Sequence, residues 1–351
     1  MGMFDNILKD NESLFIDAMA LDYEYVPPII KYRENQQQYI ATCIKPLFQK
    51  RSGRNLFICG GTGIGKTVSV KHLFNEISKE TDDIETIYIN CWKKDTSFKI
   101  ISEICEQLEY KWTQNKKTDE LMKVVTNMLN KKNVVFCFDE IDKLNDNELL
   151  YTLLEDIYRK SILLITNEKT WLSELDERIK SRLNVDVLEF KHYNYDETMG
   201  ILKQRIQYAF VPNVWNEESI KKIADKTFEI KDLRSGIFML KESGDAAELK
   251  ASRKILMEHT DSAIEKLEKF KVKGSNDLES DNKLILNTIK EHSDKRVKEI
   301  YDKYVEKGGR ISYSTFHRRL DDLERDKLIK TKDVNEGQSS GKGMIVSYVK
   351  K

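Results

Sequence analysis

The sequence predicts an α/β protein in which helices cover both faces of a parallel sheet, followed by a helical subdomain and a small C-terminal domain. Apolar, β-rich runs alternate with helical patterns from about residue 30 to 190, as in repeated βα units. From Asp196 to about Phe270 only helical periods occur, which predicts a small helical domain. The predicted strands are Leu56–Cys59, Ile84–Ile89, Val134–Phe138, Ile162–Ile165 and Val185–Phe190.

A glycine-rich turn directly follows the first of these strands. Its spacing, G-x-x-x-x-G-K-T, lets successive backbone N–H groups face an anion at the start of the next helix. Gly63 and Gly65 would allow close backbone approach, Lys66 would neutralise the β- and γ-phosphates, and Thr67 would place a hydroxyl on Mg²⁺. The alternative, a chance match, is disfavoured by the strand before and the amphipathic stretch after. The nucleotide-binding residues assigned to this turn are Gly60, Gly61, Thr62, Gly63, Ile64, Gly65, Lys66, Thr67 and Val68.

A second chemical element follows the third predicted strand. The continuous apolar run from Asn133 to Phe138 is typical of a strand buried on both faces, and it ends in Asp139-Glu140-Ile141-Asp142. Asp139 would help to hold Mg²⁺, and Glu140 would orient and activate the water that attacks the γ-phosphate. An acidic loop after a core strand is the alternative, but the phosphate loop about 70 residues upstream favours a catalytic site.

Composition limits the remaining possibilities. At 351 residues the chain predicts two or three domains, and with 59 basic and 59 acidic residues any attraction to nucleic acid must come from local charge. The five cysteines include no C-x-x-C pair, so we expect reduced packing residues and no metal site. The sequence has no membrane-length apolar stretch and no signal-like start, which predicts a cytoplasmic protein without a membrane partner.

The tail from Asp281 predicts three helices and a hairpin, the order of a winged helix-turn-helix, after a polar break at Lys271–Asn276. On its third helix, predicted from Tyr313 to Asp326, one face is apolar and the opposite face is polar and basic. This tail has 17 lysines and arginines against 12 aspartates and glutamates, which modestly favours DNA. A protein-binding winged helix remains the alternative. The candidate DNA contacts are Ser314, Thr315, Arg318, Arg319 and, at the hairpin tip, Lys342.

With these motifs in this order, nearly the whole chain resembles the archaeal replication initiators of the AAA+ class, relatives of the largest origin-recognition-complex subunit and of the cell-division-cycle helicase loader. The resemblance implies an AAA+ base domain at residues 1–191, a helical lid at 192–276 and a winged-helix domain at 277–351. It also implies slow, Mg²⁺-dependent hydrolysis of ATP to ADP. The implied partners are double-stranded origin DNA, the replicative minichromosome maintenance helicase and paralogous initiators, with a nucleoid-associated location in the cytoplasm.

Further site residues follow from the resemblance. Tyr25-Val-Pro-Pro28, together with Tyr32-Arg33-Glu34, is similar to the N-terminal segment that folds over adenine, which assigns Val26 and Pro27 to the cofactor. The strand that ends in Asn167 is similar to the sensor-1 strand, in which Asn167 would help to position the lytic water or the γ-phosphate. Tyr193 and the stretch Ile201–Arg205 resemble the start of the family's lid, where Tyr193 and Ile201 would line the adenine pocket. Arg205 is assigned to the cofactor as well.

Arginines of two kinds are implied as well. Lys231-Asp-Leu-Arg-Ser-Gly-Ile237 resembles the sensor-2 element, in which Arg234 would reach the γ-phosphate, although Lys231 and Ser235-Gly236 depart from the family pattern. Arg182, with Arg178 as second choice, resembles the arginine that related ATPases present to a neighbouring subunit. Structural ion pairing is an equal alternative for both.

The resemblance also implies a DNA-touching helix inserted in the ATPase domain, for which Cys91 to Lys117 is the candidate stretch. An ordinary amphipathic helix with a solvated basic side is the alternative. Two other functions stay open at this point: a DNA-binding regulator or plasmid or viral maintenance protein, and a protein-remodelling ATPase whose winged helix binds protein.

Overall fold

The computed structural model describes residues 13–325, 328–334 and 343–348. The chain divides into two compact units, one extending to Ile264 and the other starting at Glu265. The division falls inside one long helix. Within the described residues, no helix is long and apolar enough to cross a membrane.

A parallel sheet forms the centre of the first unit. In the described part of the chain it has five strands, in the order β2-β3-β4-β1-β5, and each predicted strand is confirmed to within two residues at its ends. The apolar run before the phosphate loop is buried at every position, as is the run that ends in Asp139. The strands are β1 Leu56–Gly60, β2 Ile84–Asn90, β3 Asn133–Asp139, β4 Lys160–Thr166 and β5 Asp186–Phe190.

Helices cover both faces of this sheet, as predicted. Side chains alternate along β3, so Phe136 and Phe138 pack in one core cluster and Val135 and Cys137 in the other. All five cysteines are buried and free, which confirms their expected role in packing. The helices around the sheet are α1 Glu34–Ile44, α2 Lys66–Glu80, α3 Ser97–Gln107, α4 Thr118–Leu129, α5 Glu148–Asp156, α6 Trp171–Glu174 and α7 Glu177–Leu183.

Four further helices begin after the sheet, and the first three together with the start of the fourth form a helical subdomain within the first unit. The first of them starts at a capping box, in which Asn194 and Glu197 satisfy each other's backbone N–H groups. The N-terminal segment reaches this subdomain, where the tilted rings of Phe15 and Phe210 lie 4.6 Å apart and the Ile16 N–H donates to the carbonyl of Ala209. The helices are α8 Tyr195–Ala209, α9 Glu217–Ile230, α10 Leu233–Leu249 and α11 Met257–Glu291.

The predicted polar break at Lys271–Asn276 is wrong, because the backbone of α11 is helical through it. The stretch contains no proline, and its single glycine, Gly274, costs a helix only about 1 kcal/mol. Polar composition alone therefore did not end the helix.

The second unit contains the predicted helices and hairpin, and its order is typical of a winged helix. Within the described residues its sheet is antiparallel, with strand order β6-β8-β7. The sequence did not predict the two-residue strand that opens the sheet. The elements are β6 Lys295–Arg296, α12 Val297–Glu306, α13 Tyr313–Arg325, β7 Ile329–Val334 and β8 Gly343–Tyr348.

Candidate functional site

A cavity of about 300 Å³ lies in the first unit, at the carboxyl ends of the strands, where α/β sheets usually bind ligands. The N-terminal segment, the phosphate loop and helices α8 and α10 enclose it. The predicted site residues that line it are Val26, Pro27, Thr62, Gly63, Ile64, Gly65, Lys66, Thr67, Val68, Asp139, Glu140, Asn167, Tyr193, Ile201, Arg205 and Arg234. Gly60, Gly61 and Arg182 are not among its lining residues.

The phosphate loop bends at two glycines with left-handed backbone conformations, Gly63 (φ 64°) and Gly65 (φ 91°). A residue with a side chain would be strained in either conformation. Helix α2 begins at once after them, so its first backbone N–H groups face the cavity without helical partners. The loop also touches the lid. The N–H of Leu233 at the start of α10 donates to the carbonyl of Gly63 at 3.3 Å.

Lys66 is buried with three neutral acceptors. Its Nζ donates to the carbonyls of Gly60 (2.9 Å) and Gly61 (2.6 Å) and to Oδ1 of Asn167 (2.8 Å). Burial lowers the pKa of Lys66 to about 8 against the opposing charge of Asp139. Because none of the three hydrogen-bond acceptors is charged, an anion in the cavity would give this ammonium group a direct ionic partner.

The carboxylate of Asp139 accepts hydrogen bonds on both oxygens. The Thr67 hydroxyl donates to Oδ2 at 2.6 Å, and the Glu140 N–H donates to Oδ1 at 2.9 Å. Glu140 itself has a left-handed backbone (φ 55°) at the end of β3. Burial and then the charges of Asp139 and Asp142 raise the pKa of the Glu140 carboxyl, which favours proton acceptance.

The oxygens of Thr67 and Asp139 suit Mg²⁺, which typically takes one or two protein ligands and completes its shell with phosphates and waters. Within the described residues no group of three or more His, Cys, Asp or Glu is placed to hold a metal by itself. The donor set therefore fits a cation that arrives with a nucleotide.

The lid contributes charged groups of two kinds. Arg234 stands in the first turn of α10, half exposed, and its Nε donates to Asp232 at 3.3 Å, so the guanidinium has a weak local partner. Arg205 is buried and donates to the carbonyl of Ala20 at 3.0 Å, beside the ring of Tyr25 at 5.0 Å. These contacts anchor the N-terminal segment over the cavity.

Arg33 was not predicted as a site residue, although its segment was singled out. Its buried guanidinium donates to the carbonyl of Ile64 in the phosphate loop and to that of Lys191 before the lid. The guanidinium also lies 3.8 Å from the centroid of the Tyr193 ring. Arg33 therefore connects the phosphate loop, the backbone just before the lid and the predicted adenine pocket. The only signal in the sequence was a basic residue within the cavity-covering segment.

The two arginines that are candidates for contact with a neighbouring subunit both lie on α7, and both make ion pairs. Arg182 pairs with Glu155 and lies over the Tyr151 ring at 4.9 Å, and Arg178 pairs with Asp176 at 3.2 Å. Their side chains stay 46% and 76% exposed, so either could still meet an external partner.

The stretch from Cys91 to Lys117 is only partly helical. Helix α3 packs its Ile100 and Ile104 into the core, so it belongs to the helical layer on the sheet. The exposed aromatics Trp92 and Trp112 lie outside this helix, one on each side of it along the chain. Phe98 and Lys99 in the first turn of α3 are exposed as well, so the helix and the loops on either side of it all contribute to the basic and aromatic surface.

Helix α13 of the second unit has the predicted two faces. Phe316, Leu320 and Leu323 are buried, whereas Ser314 and Arg318 are exposed. Thr315 is half-buried and bonds to the hydroxyl of Ser312, and Arg319 is also half-buried. Lys342 lies outside the described residues.

Comparison with known proteins gives two family matches in chain order. Residues 49–168 match the AAA domain, and residues 199–265 match the lid domain of the Cdc6 AAA+ ATPase type. Among curated relatives, the ORC1-type DNA replication protein 2 of Methanothermobacter thermautotrophicus is 28% identical over 97% of this chain and 94% of its own length. The ORC1-type DNA replication protein 1 of Sulfurisphaera tokodaii is 29% identical over 96% and 91%.

A solved structure extends the similarity to the fold. The ORC1 protein of Aeropyrum pernix, in complex with DNA, superposes with a TM-score of 0.72 at 23% identity, covering 96% of this chain and 94% of that one. Both units of the chain are therefore found together in a known architecture.

Proposed function

Residues 49–168 and 199–265 match the AAA domain and the Cdc6-type lid, and ORC1-type relatives match nearly the whole chain; we therefore propose that this chain belongs to the ORC1/Cdc6 type of AAA+ ATPase and is a DNA replication initiator that binds origin DNA under the control of ATP. One observation carries the proposal. The similarity to ORC1-type replication proteins runs through 97% of the chain, so it includes the ATPase, the lid and the second unit.

In the nucleotide half, Lys66 and the N-terminus of α2 bind the β- and γ-phosphates, and Asn167 holds the Lys66 ammonium in position. Thr67 and Asp139 would hold Mg²⁺, which would supply charge neutralisation at the transferring phosphoryl group. The N-terminal segment, with Val26 and Pro27, covers the base beside Tyr193 and Ile201.

Hydrolysis then depends on Glu140 as the base that orients and activates water, because its raised pKa brings it nearer to neutral pH. Arg234 would reach the γ-phosphate from the lid once it leaves Asp232. We also propose that turnover is slow, as the resemblance to the archaeal initiators implies. Arg182 would complete the site of a paralogous initiator or a second copy, with Arg178 as the second choice.

In the DNA half, α13 would enter the major groove of double-stranded DNA with Ser314 and Thr315 in its first turn and Arg318 on its exposed face. Arg319 and Lys342 would contact the phosphate backbone. The loops that carry Trp92 and Trp112 would add a second contact from the ATPase unit. A chain that holds DNA in this way would help to recruit the minichromosome maintenance helicase.

The test is a DNA-binding titration of the full chain by fluorescence anisotropy, preceded by footprinting on the upstream region of its own gene to find a site. Duplexes with the protected sequence and with its scrambled version are compared from 50 to 200 mM salt, with ATP and without nucleotide. We expect tighter binding to the protected sequence and a steep loss of affinity with salt, since basic residues that neutralise phosphates release counterions.

Two results would contradict the proposal. Equal affinity for the protected and scrambled duplexes would favour general DNA maintenance, and no binding to either would favour a protein-remodelling ATPase.

A further inference from the structure

Tyr88 contacts the proposed metal-binding carboxylate, although nothing in its sequence context marks it as a site residue. It lies on β2, in register with Cys137 and two residues before the pair Asn90–Asp139 that ends the strands. Its phenol O–H donates to Oδ2 of Asp139 at 2.8 Å. This is the same oxygen that accepts from the Thr67 hydroxyl at 2.6 Å.

The ring of Tyr88 is held in place from several sides. It packs against the core cluster on the α2 side of the sheet. The Nζ of Lys71, one helical turn after Thr67, stands 4.8 Å from the ring centroid and pairs with Glu24 of the covering segment at 2.5 Å. At neutral pH the phenol of Tyr88 is protonated and is therefore a hydrogen-bond donor.

The two donors to Oδ2 would behave differently when a nucleotide binds. The oxygen of Thr67 is a proposed ligand of the cation, so the hydroxyl of Thr67 would have to reorient when the cation binds. The phenol of Tyr88 has no such second task, and its hydrogen bond can keep the carboxylate in one orientation. Groups that orient a metal ligand in this manner typically change metal affinity 10- to 100-fold when removed.

We propose that Tyr88 is a positioning residue that presets the Asp139 carboxylate for the nucleotide-bound Mg²⁺, an inference that rests on the proposed nucleotide site. The bland alternative is a core tyrosine whose hydroxyl fills its hydrogen-bonding need at the nearest acceptor. If Tyr88 positions the carboxylate, loss of its hydroxyl weakens cation binding while the ring still supports the fold. If Tyr88 only packs in the core, loss of the hydroxyl leaves cation binding unchanged.

The experiment compares Tyr88→Phe with wild type and with Tyr39→Phe. Tyr39 is a matched control because its hydroxyl also donates to an aspartate of the sheet, Asp186 at 3.2 Å, outside the cavity. A fluorescent ADP analogue is titrated in EDTA and then across a Mg²⁺ series, and Mn²⁺ bound to the ADP complex is followed by electron paramagnetic resonance. Thermal melting reports the fold.

For Tyr88→Phe we expect unchanged affinity for the analogue in EDTA, about tenfold weaker cation binding and an altered Mn²⁺ spectrum. Tyr39→Phe should match wild type in all three. Unchanged cation binding in Tyr88→Phe would overturn the inference, and so would an equal loss of binding in EDTA, which is the signature of a packing role. If wild type itself failed to bind the analogue, the proposed nucleotide site would fall instead.

Discussion

The nucleotide cavity and the exposed face of α13 differ in where their polar side chains find hydrogen-bond partners. In the cavity, groups far apart in sequence contact each other: Lys66 meets Asn167 across 101 residues, and Thr67 meets Asp139 across 72. On α13, by contrast, Ser314 and Arg318 are exposed to solvent. The polar groups of the cavity are therefore paired with one another, whereas the face of α13 presents groups that a partner can use.

Burial explains the difference. A polar group removed from water must find a hydrogen-bond partner, so a closed cavity has to organise its own side chains. A surface that enters a DNA groove must stay open, and its charges find partners only on the nucleic acid. The comparison predicts large, all-or-none effects in the cavity and graded effects on the helix.

The largest effect is expected for Lys66→Ala. The substitution removes the ammonium group that the three acceptors hold in the phosphate loop. Because this group would neutralise the phosphates, nucleotide binding should be abolished. The measurement is retention of labelled ATP. Lys160→Ala is the matched control, since Lys160 is also partly buried and donates to backbone carbonyls, but outside the cavity. Equal retention by wild type and Lys66→Ala would break the site assignment.

Next comes Glu140→Gln, which should bind ATP and fail to hydrolyse it. The amide keeps the shape of the side chain but cannot accept the proton of the attacking water. Phosphate release and ATP retention are measured on the same sample. The control is Glu148→Gln, an exposed carboxylate at the start of α5. Wild-type phosphate release from Glu140→Gln would assign the base to another residue.

A graded effect is expected for Arg318→Ala. If Arg318 reads a base, its truncation should relax sequence preference by about 1 to 3 kcal/mol. Binding is titrated on specific and scrambled duplexes at several salt concentrations, beside Lys298→Ala, which removes one exposed charge from α12. Wild-type affinity and salt slope in Arg318→Ala would remove this face of α13 from the DNA interface and favour a protein partner.

The smallest effect is a pH dependence of nucleotide affinity. Above the pKa of about 8 that burial gives Lys66, the free protein holds this side chain neutral. A phosphate stabilises the ammonium form and raises that pKa, so binding takes up a proton. Affinity should then fall about tenfold for each pH unit above 8. Calorimetry in two buffers of different ionisation enthalpy measures the proton uptake; none at pH 9 would contradict the sign.

Much of the first unit could be predicted, because its signals are local. Each strand is a short apolar run bounded by polar residues, and the phosphate loop defines its own geometry through spacing. Asp139 and Glu140 follow from their place at a strand end. All three features depend on neighbours in sequence, which a reader of the chain can see.

Arg33 and Tyr88 escaped prediction for the opposite reason. Arg33 bonds to carbonyls of Ile64 and Lys191, and the phenol of Tyr88 bonds to Asp139, so both roles exist only after the chain has folded. A backbone carbonyl has no identity in the sequence, and strand register decides which side chain reaches Asp139. The missed β6 is of a related kind, because its two residues pair with the distant strand β8. The false break in α11 has another cause, since polar composition without proline does not by itself end a helix.

The backbone of Glu140 carries one more consequence. A non-glycine residue at φ 55° and ψ 46° costs about 1 kcal/mol or more, and glycine or asparagine would hold the same conformation with less strain. Heat resistance and turnover therefore pull this position in opposite directions. A laboratory evolution scheme that rewards only survival at high temperature would enrich glycine or asparagine here, and would return a sturdier protein that has lost its proposed base.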